Sequence, residues 1–473
     1  MKLPRVAVAA MLALFSVALL TAYWHLRRER ARQLNVNTSA GVRRLSVTLS
    51  FSGRVRVAVK PLDLPQTHVP STVEKEKTVE VECDGLCSVE VEVVGGRGYT
   101  VLVSWEGGEK SFTVPYVREF DDLASKLVEE GVVVSAAYMP WSMGEVLGAS
   151  WRRDVPLLGL YDALDDYIQW KHVDWARGHG IHLFWVDWTM YASSKAGDRI
   201  FKVTQKLLEK EMVVGVMLGP QVDMHWGPGY PSIDLSDDWN AGIFLNLVQR
   251  ALTLMKDPNY YRVGERPAIL IWNEAAFYNR ESVYKRMREM VVRELGVEPY
   301  VITDVLPRVG KGGVLTPGTP EGRWYVDNVL LRRGDGGDKY IDAYTSWIGF
   351  YTVQGSGALT SGEMELFPET YKRHLDSWRL FARARGKCVV PTVSPGFDRT
   401  HDPVFGQPEP IPRDVGRFKA MLEASLANVG ECGEVRVDTW NDFYEGTYVE
   451  PSLNEGLLYL EAIRDVARRL NGS

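Results

Sequence analysis

Hydrophobic and polar positions alternate along residues 44–116. The runs R-V-R-V-A-V at 54–59, T-V-E-V-E-C at 78–83 and S-V-E-V-E-V at 88–93 change character at every second residue. That is the period of a half-buried strand. A Gly-rich turn at 95–98 separates them from another strand-like run at 99–105. Short strands between turn signals predict a small all-β, sandwich-like domain, either a spacer or a carbohydrate-binding module. From residue 118 the rhythm changes. Apolar runs at 132–139, 181–186, 212–218, 268–272, 300–303, 341–347, 388–393 and 435–440 are separated mostly by helical patterns, such as 161–177 with Leu164, Ile168 and Trp175. Continuous apolar strands between helices imply a parallel sheet covered on both faces. Eight such units predict an α/β fold of the (β/α)8 TIM-type barrel class over residues 118–473, with long loops. An open doubly wound sheet would want a Gly-rich phosphate turn after its first strand. The chain has M-P-W-S-M-G there, and the Gly cluster at 310–313 lacks a P-loop ending.

The N-terminus has a different pattern. Residues 6–24 are 19 positions without a charge, and only Ser16 and Thr21 are polar. That length just crosses a bilayer, whereas a cleaved signal peptide has a shorter apolar core. Residues 1–26 therefore read as an N-terminal transmembrane segment, with a signal segment as the alternative, and 27–43 as a polar stalk. Arg27, Arg28, Arg30 and Arg32 outnumber Lys2 and Arg5 on the other flank. Taken literally, the positive-inside rule keeps the body in the cytoplasm.

The four cysteines argue the other way. Cys83 and Cys87 form a tight C-D-G-L-C loop, and Cys388 and Cys432 precede two strands that a barrel makes neighbours. Local pairing as disulfides places the body in an oxidising compartment. Buried thiols are the alternative. C-x-x-x-C without a nearby His is a poor zinc site. The expectation is a membrane-anchored protein whose larger domain is extracytoplasmic.

A net charge of −6, with no Lys/Arg-rich run beyond the N-terminal region, excludes nucleic acid as a partner. Fifteen Trp and 21 Tyr suit sugar stacking, but large cores use them too.

Candidate chemistry concentrates in the last strand-like segment. Residues 435–452 read V-R-V-D-T-W-N-D-F-Y-E-G-T-Y-V-E-P-S. A strand pattern opens into Asn441, Asp442, Glu445 and Glu450, threaded with Trp440, Phe443, Tyr444 and Tyr448. Two carboxylates three residues apart among aromatic rings suit acid/base work on a sugar. Active sites of such barrels collect at the carboxyl ends of strands. The other predicted strand ends supply Tyr138 and Trp141, Asp187 and Trp188, Asn273 and Glu274, Asp304, Tyr344 and Trp347, and Asp398 with Arg399. Of these, Tyr138, Trp141, Asp187, Trp188, Glu274, Trp347, Asp398 and Arg399 join Asn441, Tyr444 and Glu450 as expected glycan contacts. No metal and no organic cofactor is implied.

The segment W-N-D-F-Y-E-G-T-Y-V-E resembles the signature of glycoside hydrolase family 99 and its wider relatives, roughly N-E-W-x-E-G-T-x-x-E. Three further stretches are similar to family segments and fall in family order: A-Y-M-P-W at 137–141, P-L-L-G-L-Y-D-A-L-D from 156 followed by G-I-H-L-F-W-V-D-W at 180–188, and V-P-T-V-S-P-G-F-D at 390–398. Together they span about residues 131–465. The resemblance implies an endo-α-mannosidase-like barrel and a retaining glycoside hydrolase acting on an α-linked, mannose-containing glycan. It further implies that Asp442 draws the proton from the sugar's 2-hydroxyl, which attacks the anomeric carbon to give a 1,2-anhydro sugar. Glu445 then protonates the leaving oxygen and later activates water, a form of substrate assistance. Two departures stand out. Asp442 replaces the family's Glu, one methylene or about 1.5 Å shorter, and F-Y-E replaces W-x-E. The rival readings are a non-catalytic glycan-binding protein and a glycosyltransferase of surface-polysaccharide assembly.

Overall fold

The computed structural model describes residues 34–39, 42–63, 75–141, 143, 154–307, 309, 314–332, 334–349, 361–402, 410–427 and 429–470. The chain forms two compact units that divide between Asp121 and Asp122.

Among the described residues the first unit is one antiparallel sheet of five strands: β1 (Leu34–Ser39), β2 (Val42–Pro61), β3 (Lys77–Val93), β4 (Arg97–Trp105) and β5 (Gly108–Val117). β3 pairs with β2 from Arg43 to Val59, while β1 and β4 pair with opposite ends of β2. Alternation sends Leu45, Val47, Val55, Val57 and Val59 into one buried cluster with Val89, Val91, Val101 and Val103. A single sheet folded over its own apolar face thus replaces the expected pair of sheets. β1 and the start of β2 also occupy part of the span read as a stalk. The Cys83–Cys87 disulfide staples the β3 side of the long hairpin.

The second unit is α/β. Its parallel strands are β6 (Val133–Tyr138), β7 (Ile181–Met190), β8 (Val213–Gln221), β11 (Arg266–Ile271), β13 (Tyr300–Asp304), β14 (Ala343–Thr345), β15 (Cys388–Val389), β16 (Thr392–Val393) and β17 (Glu434–Val437). Three short strands, β9 (Ile233–Asp234), β10 (Arg262–Val263) and β12 (Phe277–Tyr278), sit in the connections. The ladder runs β15-β14-β13-β11-β8-β7-β6-β17-β16.

This corrects the expected closed ring of eight strands. Among the described residues the sheet is a half-barrel of nine parallel strands. The run 388–393, read as one strand, is two: β15 pairs with β14 at one end of the ladder and β16 with β17 at the other. Pro391 lies between them and has no N–H to donate, which breaks the ladder there. The sheet curls enough that Arg436 near one end donates to the Ser346 carbonyl beyond β14 at 2.7 Å. The Cys388–Cys432 disulfide joins the starts of β15 and β17.

Residues 6–24 lie outside the described residues, and no helix among the described residues is long and apolar enough to cross a membrane.

Helices cover the outer face. Asp166–Gly178 is capped by Asp165, whose carboxylate accepts from the Tyr167 and Ile168 amides, and Asp238–Leu254 is capped by Asp237 through the Asn240 amide. On the concave face the polar residues are paired. Glu434 accepts from Ser135 Oγ at 2.6 Å and Trp185 Nε1 at 2.7 Å. Arg436 donates to Asp438 at 2.8 Å with both side chains fully buried.

Gly215, in register with Trp185, leaves room for that indole, since an added Cβ would lie 2.4 Å from the ring. Gly215→Ala is therefore expected to destabilise the fold by about 1–3 kcal/mol through overpacking. Gly242→Ala, in a helix with nothing within 4 Å of the new Cβ, is expected to stabilise it by up to about 1 kcal/mol. Urea unfolding of the two variants checks the contrast; equal effects would show that Trp185 is not fixed against Gly215.

Candidate active site

After β17 the chain turns back on itself. The Thr439 amide donates to the Thr447 carbonyl at 2.8 Å and the Val449 amide to the Thr439 carbonyl at 2.9 Å. Inside this loop the Thr439 hydroxyl accepts from the Asp442 amide at 2.8 Å, and the Asp442 carboxylate accepts from the Glu445 amide at 2.8 Å. Residues 442–445 are thus wound into a turn, and the i,i+3 carboxylates are brought together. Gly446 follows with φ +67°, a left-handed conformation that glycine adopts without steric cost. Its carbonyl accepts from Arg413 at 2.7 Å.

The loop after β16 meets this turn. The Asp398 amide donates to the Glu445 carbonyl at 2.7 Å, and the Asp398 carboxylate accepts from Thr400 N and Oγ1 at 3.0 and 2.8 Å. That turn presents Arg399, whose guanidinium lies 3.3 Å from Glu445 Oε1 and 2.5 Å from Asp402. Tyr444 donates its hydroxyl to Asp402 at 2.8 Å, with Arg399 5.9 Å from its ring. From the end of β14, the Trp347 amide donates to Asp304 at 2.7 Å, and its indole N–H reaches Glu445 Oε2 at 3.4 Å. The Ile348 amide donates to Asp438 at 2.9 Å. The buried Arg436–Asp438 pair therefore fixes the backbone that carries Trp347.

Electrostatics separate the carboxyls. Burial, reinforced by the charge of Glu445 and, less, of Asp187, pushes the Asp442 carboxyl well above the usual carboxylate range. Asp187, at the end of β7, is raised to about 6, first by burial and also by Glu445. Its carboxylate accepts from the Thr189 amide at 2.8 Å. Three acidic groups thus share one desolvated rim with the Arg399 guanidinium. Beside them is a cavity of about 270 Å³ bordered by Asp398, His401, Arg413, Phe443, Tyr444 and Tyr448. Phe443 and Tyr448 stack at 3.8 Å.

Of the residues expected at the site, Asp187, Trp347, Asp398, Arg399, Asp442, Tyr444 and Glu445 meet here. Others lie elsewhere. Tyr138, Asn441 and Glu450 belong to a buried network under the helix Asp166–Gly178. In it Tyr138 contacts His172 Nδ1 at 3.1 Å, His172 Nε2 contacts Glu450 at 3.1 Å, and Tyr161 donates to Glu450 at 2.7 Å. Asn441 accepts from the Met139 amide at 2.7 Å and donates to the Met139 carbonyl at 2.9 Å. It fastens the loop after β17 to the end of β6. Trp188 points outward and donates to Thr204 at 2.9 Å. Glu274 is fully buried in an ion pair with Arg280. Trp141 is half-buried, its carbonyl accepting from the Ala163 amide at 3.2 Å. The sequence reading missed Asp402, His172, and the pair Arg436 and Asp438. The last two were visible as charges at alternate positions of V-R-V-D, a pattern that puts both on one strand face. Among the described residues no group of three or more His, Cys, Asp or Glu could hold a metal ion.

A parallel α/β half-barrel with a carboxylate pair at the carboxyl end of its strands is the class that fold and site define. No protein-family model matches the chain, and a sequence comparison with curated proteins gives no match. Among solved structures, the chain is similar to a glycoside hydrolase-like protein, at a TM-score of 0.53 and 17% identity over 71% of this chain and 93% of that one. The GH99 endo-α-mannosidase from Bacteroides thetaiotaomicron also aligns, at a TM-score of 0.49 and 15% identity over 75% of this chain and 97% of that one. At such identities the likeness is one of fold.

A carboxyl whose folded pKa is raised holds its proton better in the native state, so stability falls as pH climbs from the unfolded value toward the folded one. For Asp442 that loss begins near the ordinary carboxylate range and is complete above its raised value. Its slope is at most about 1.4 kcal/mol per pH unit. Asp442→Asn keeps the acceptor for the Glu445 amide and removes the titration. The variant is expected to melt higher than wild type at neutral pH, with the gap closing below about pH 4. Thermal melts at pH 3.5 and 7.5 check this; a gap independent of pH would remove burial of the charge as the cause.

Proposed function

We propose that this protein is a glycoside hydrolase that cleaves an α-linked glycan with retention, using Asp442 and Glu445 through a 1,2-anhydro sugar. The observation that carries the reading is the turn at 442–445, which sets two carboxyls side by side and desolvates one of them. Asp442 acts as base. Once ionised, its raised proton affinity suits removal of a poorly acidic sugar hydroxyl. The 2-oxygen then bonds to the anomeric carbon as the glycosidic bond breaks, and Glu445 delivers a proton to the leaving oxygen. In the second half, Glu445 takes a proton from water. That water opens the three-membered ring at the anomeric carbon, and the 2-oxygen recovers its proton from Asp442. Both carboxyls end as they began. Arg399 and the Trp347 indole hold Glu445 in place. Tyr444, half-buried beside Arg399, offers a ring to the sugar. The resemblance in motif order favours a mannose-containing substrate, and the fold likeness to a glycoside hydrolase-like protein supports only the broader hydrolase reading. The two disulfides favour an oxidising, extracytoplasmic compartment.

Glu445→Gln is expected to retain measurable rate on α-mannosides with an activated leaving group, which need little protonation, and to lose it on natural linkages. Asp442→Asn is expected to lose at least about a hundredfold on both. Wild-type activity in both variants on any cleaved glycan would sink the assignment.

The acidic limb of kcat/KM reports deprotonation of the base, so it is expected above the ordinary carboxylate range. Asp187→Asn removes a like charge near Asp442 and is expected to move that limb to lower pH. A limb unmoved by Asp187→Asn, or moved upward, would separate Asp187 from the catalytic pair.

A further inference from the structure

Beyond the carboxylates, the same end of the sheet exposes large aromatic side chains where a folded chain ordinarily hides them. Tyr191, directly after β7, is 57% exposed; Trp226 and Tyr230, in the loop after β8, are 45% and 60% exposed; Trp239, at the start of the helix Asp238–Leu254, is 57% exposed. These are not loosely attached rings. Trp226 donates its indole N–H to the Gln221 carbonyl at 3.0 Å, and Trp239 donates to the Asp223 carbonyl at 2.7 Å. The Tyr230 hydroxyl donates to Asn273 at 2.8 Å.

The loop that bears them is itself clamped. The Gly227 amide donates to the Ser232 carbonyl at 2.6 Å. Asn240 holds it from below, accepting from the His225 amide at 2.7 Å and donating to the His225 and Asp234 carbonyls at 3.2 and 3.0 Å. His225 lies parallel to Trp239 with ring centroids 6.0 Å apart. The polar edges of both indoles are thus turned to the protein while much of their surface stays in water.

Resting on the glycosidase reading, we propose that Trp226, Tyr230 and Trp239 form a binding platform for remote residues of a polymeric glycan whose reacting unit sits at Asp442 and Glu445. Ring faces stack on the C–H faces of sugars, and anchored rings lose little conformational freedom on binding. The neighbouring groups suit hydroxyls: Asp223, Asp237 and His225, the last 3.3 Å from Asp237. A protein partner would be met by a contiguous apolar centre depleted of charge, whereas here the aromatics alternate with carboxylates and an imidazole. The platform continues from the site through the chain, since Asp187 and Tyr191 stand on and just beyond β7, and the Val222 amide joins the two loops by donating to the Met190 carbonyl at 2.8 Å.

The test is binding and turnover with defined probes: yeast α-mannan, dextran and pullulan in affinity gels and calorimetry, and an aryl α-mannoside for turnover. Binding is measured in the Glu445→Gln background so that no probe is consumed. Trp226→Ala and Trp239→Ala are each expected to weaken retention of the polymer by about tenfold, with Trp226→Phe and Trp239→Phe recovering most of it. Turnover of the aryl mannoside is expected to stay within twofold. Trp324→Ala, which removes another exposed indole, 62% exposed, is expected to change nothing. Undiminished retention in the alanine variants, an equal loss in Trp324→Ala, or no retention of any polymer would overturn the platform. If the aryl mannoside is still cleaved in those cases, the glycosidase reading stands alone. If the alanine variants lose polymer while wild type cleaves neither polymer nor aryl mannoside, the platform stands and the hydrolase does not.

Discussion

Crowding of like charge in a desolvated rim governs the site. Asp187, Asp442 and Glu445 press on one another, and the Arg399 guanidinium stands beside Glu445. Three carboxylates cannot all ionise at ordinary cost in so little water, and burial with the neighbouring charges raises the proton affinity of Asp442 most. Folding opposes such an arrangement. It persists because the surrounding backbone bonds leave the chain no relaxed alternative.

Those bonds begin one layer below. Arg436 and Asp438 are fully buried, and further bonds add to their mutual attraction in offsetting desolvation. Arg436 reaches the Ser346 carbonyl and Asp438 accepts from the Ile348 amide. The pair thereby ties the loop beyond β14 to β17, which stands near the opposite end of the ladder. Trp347 is thus set from one side and the turn at 442–445 is closed by Thr439 from the other, with Glu445 between them.

A second buried network backs the site from the helix side. Tyr138, Tyr161, His172 and Glu450 are bonded in a chain, and burial followed by the charge of Glu450 raises both tyrosine hydroxyls well above their ordinary range. These hydroxyls keep their protons, and that of Tyr161 donates to Glu450. Their work is to fasten the helix Asp166–Gly178 to the end of β6 and to the loop after β17, which Asn441 grips through Met139. A residue can thus be essential to a site's shape without facing it.

The sequence by itself determined the alternation that makes the first unit a β-sheet and the apolar runs that become parallel strands. It also determined the density of polar and aromatic residues after the last strand, because period and composition are local properties. Asp187, Trp347, Arg399, Asp442, Tyr444 and Glu445 were legible as strand-end residues for that reason. Only the tertiary structure decided that Pro391 splits one run into two strands at opposite ends of the ladder and that the first unit is one folded sheet. It also decided which strand-end residues face the site. Trp188 differs from Asp187 by one position and points to the other side of the sheet, a matter of pleat. Glu274 is withdrawn by Arg280, six residues on. Asn441 and Glu450 sit in the same burst of polar residues as Asp442 and Glu445, yet their partners, Met139 and His172, lie some three hundred residues away in the chain. Which of several like side chains meets water, and which meets a distant donor, is settled by contacts between segments, and no local pattern records them.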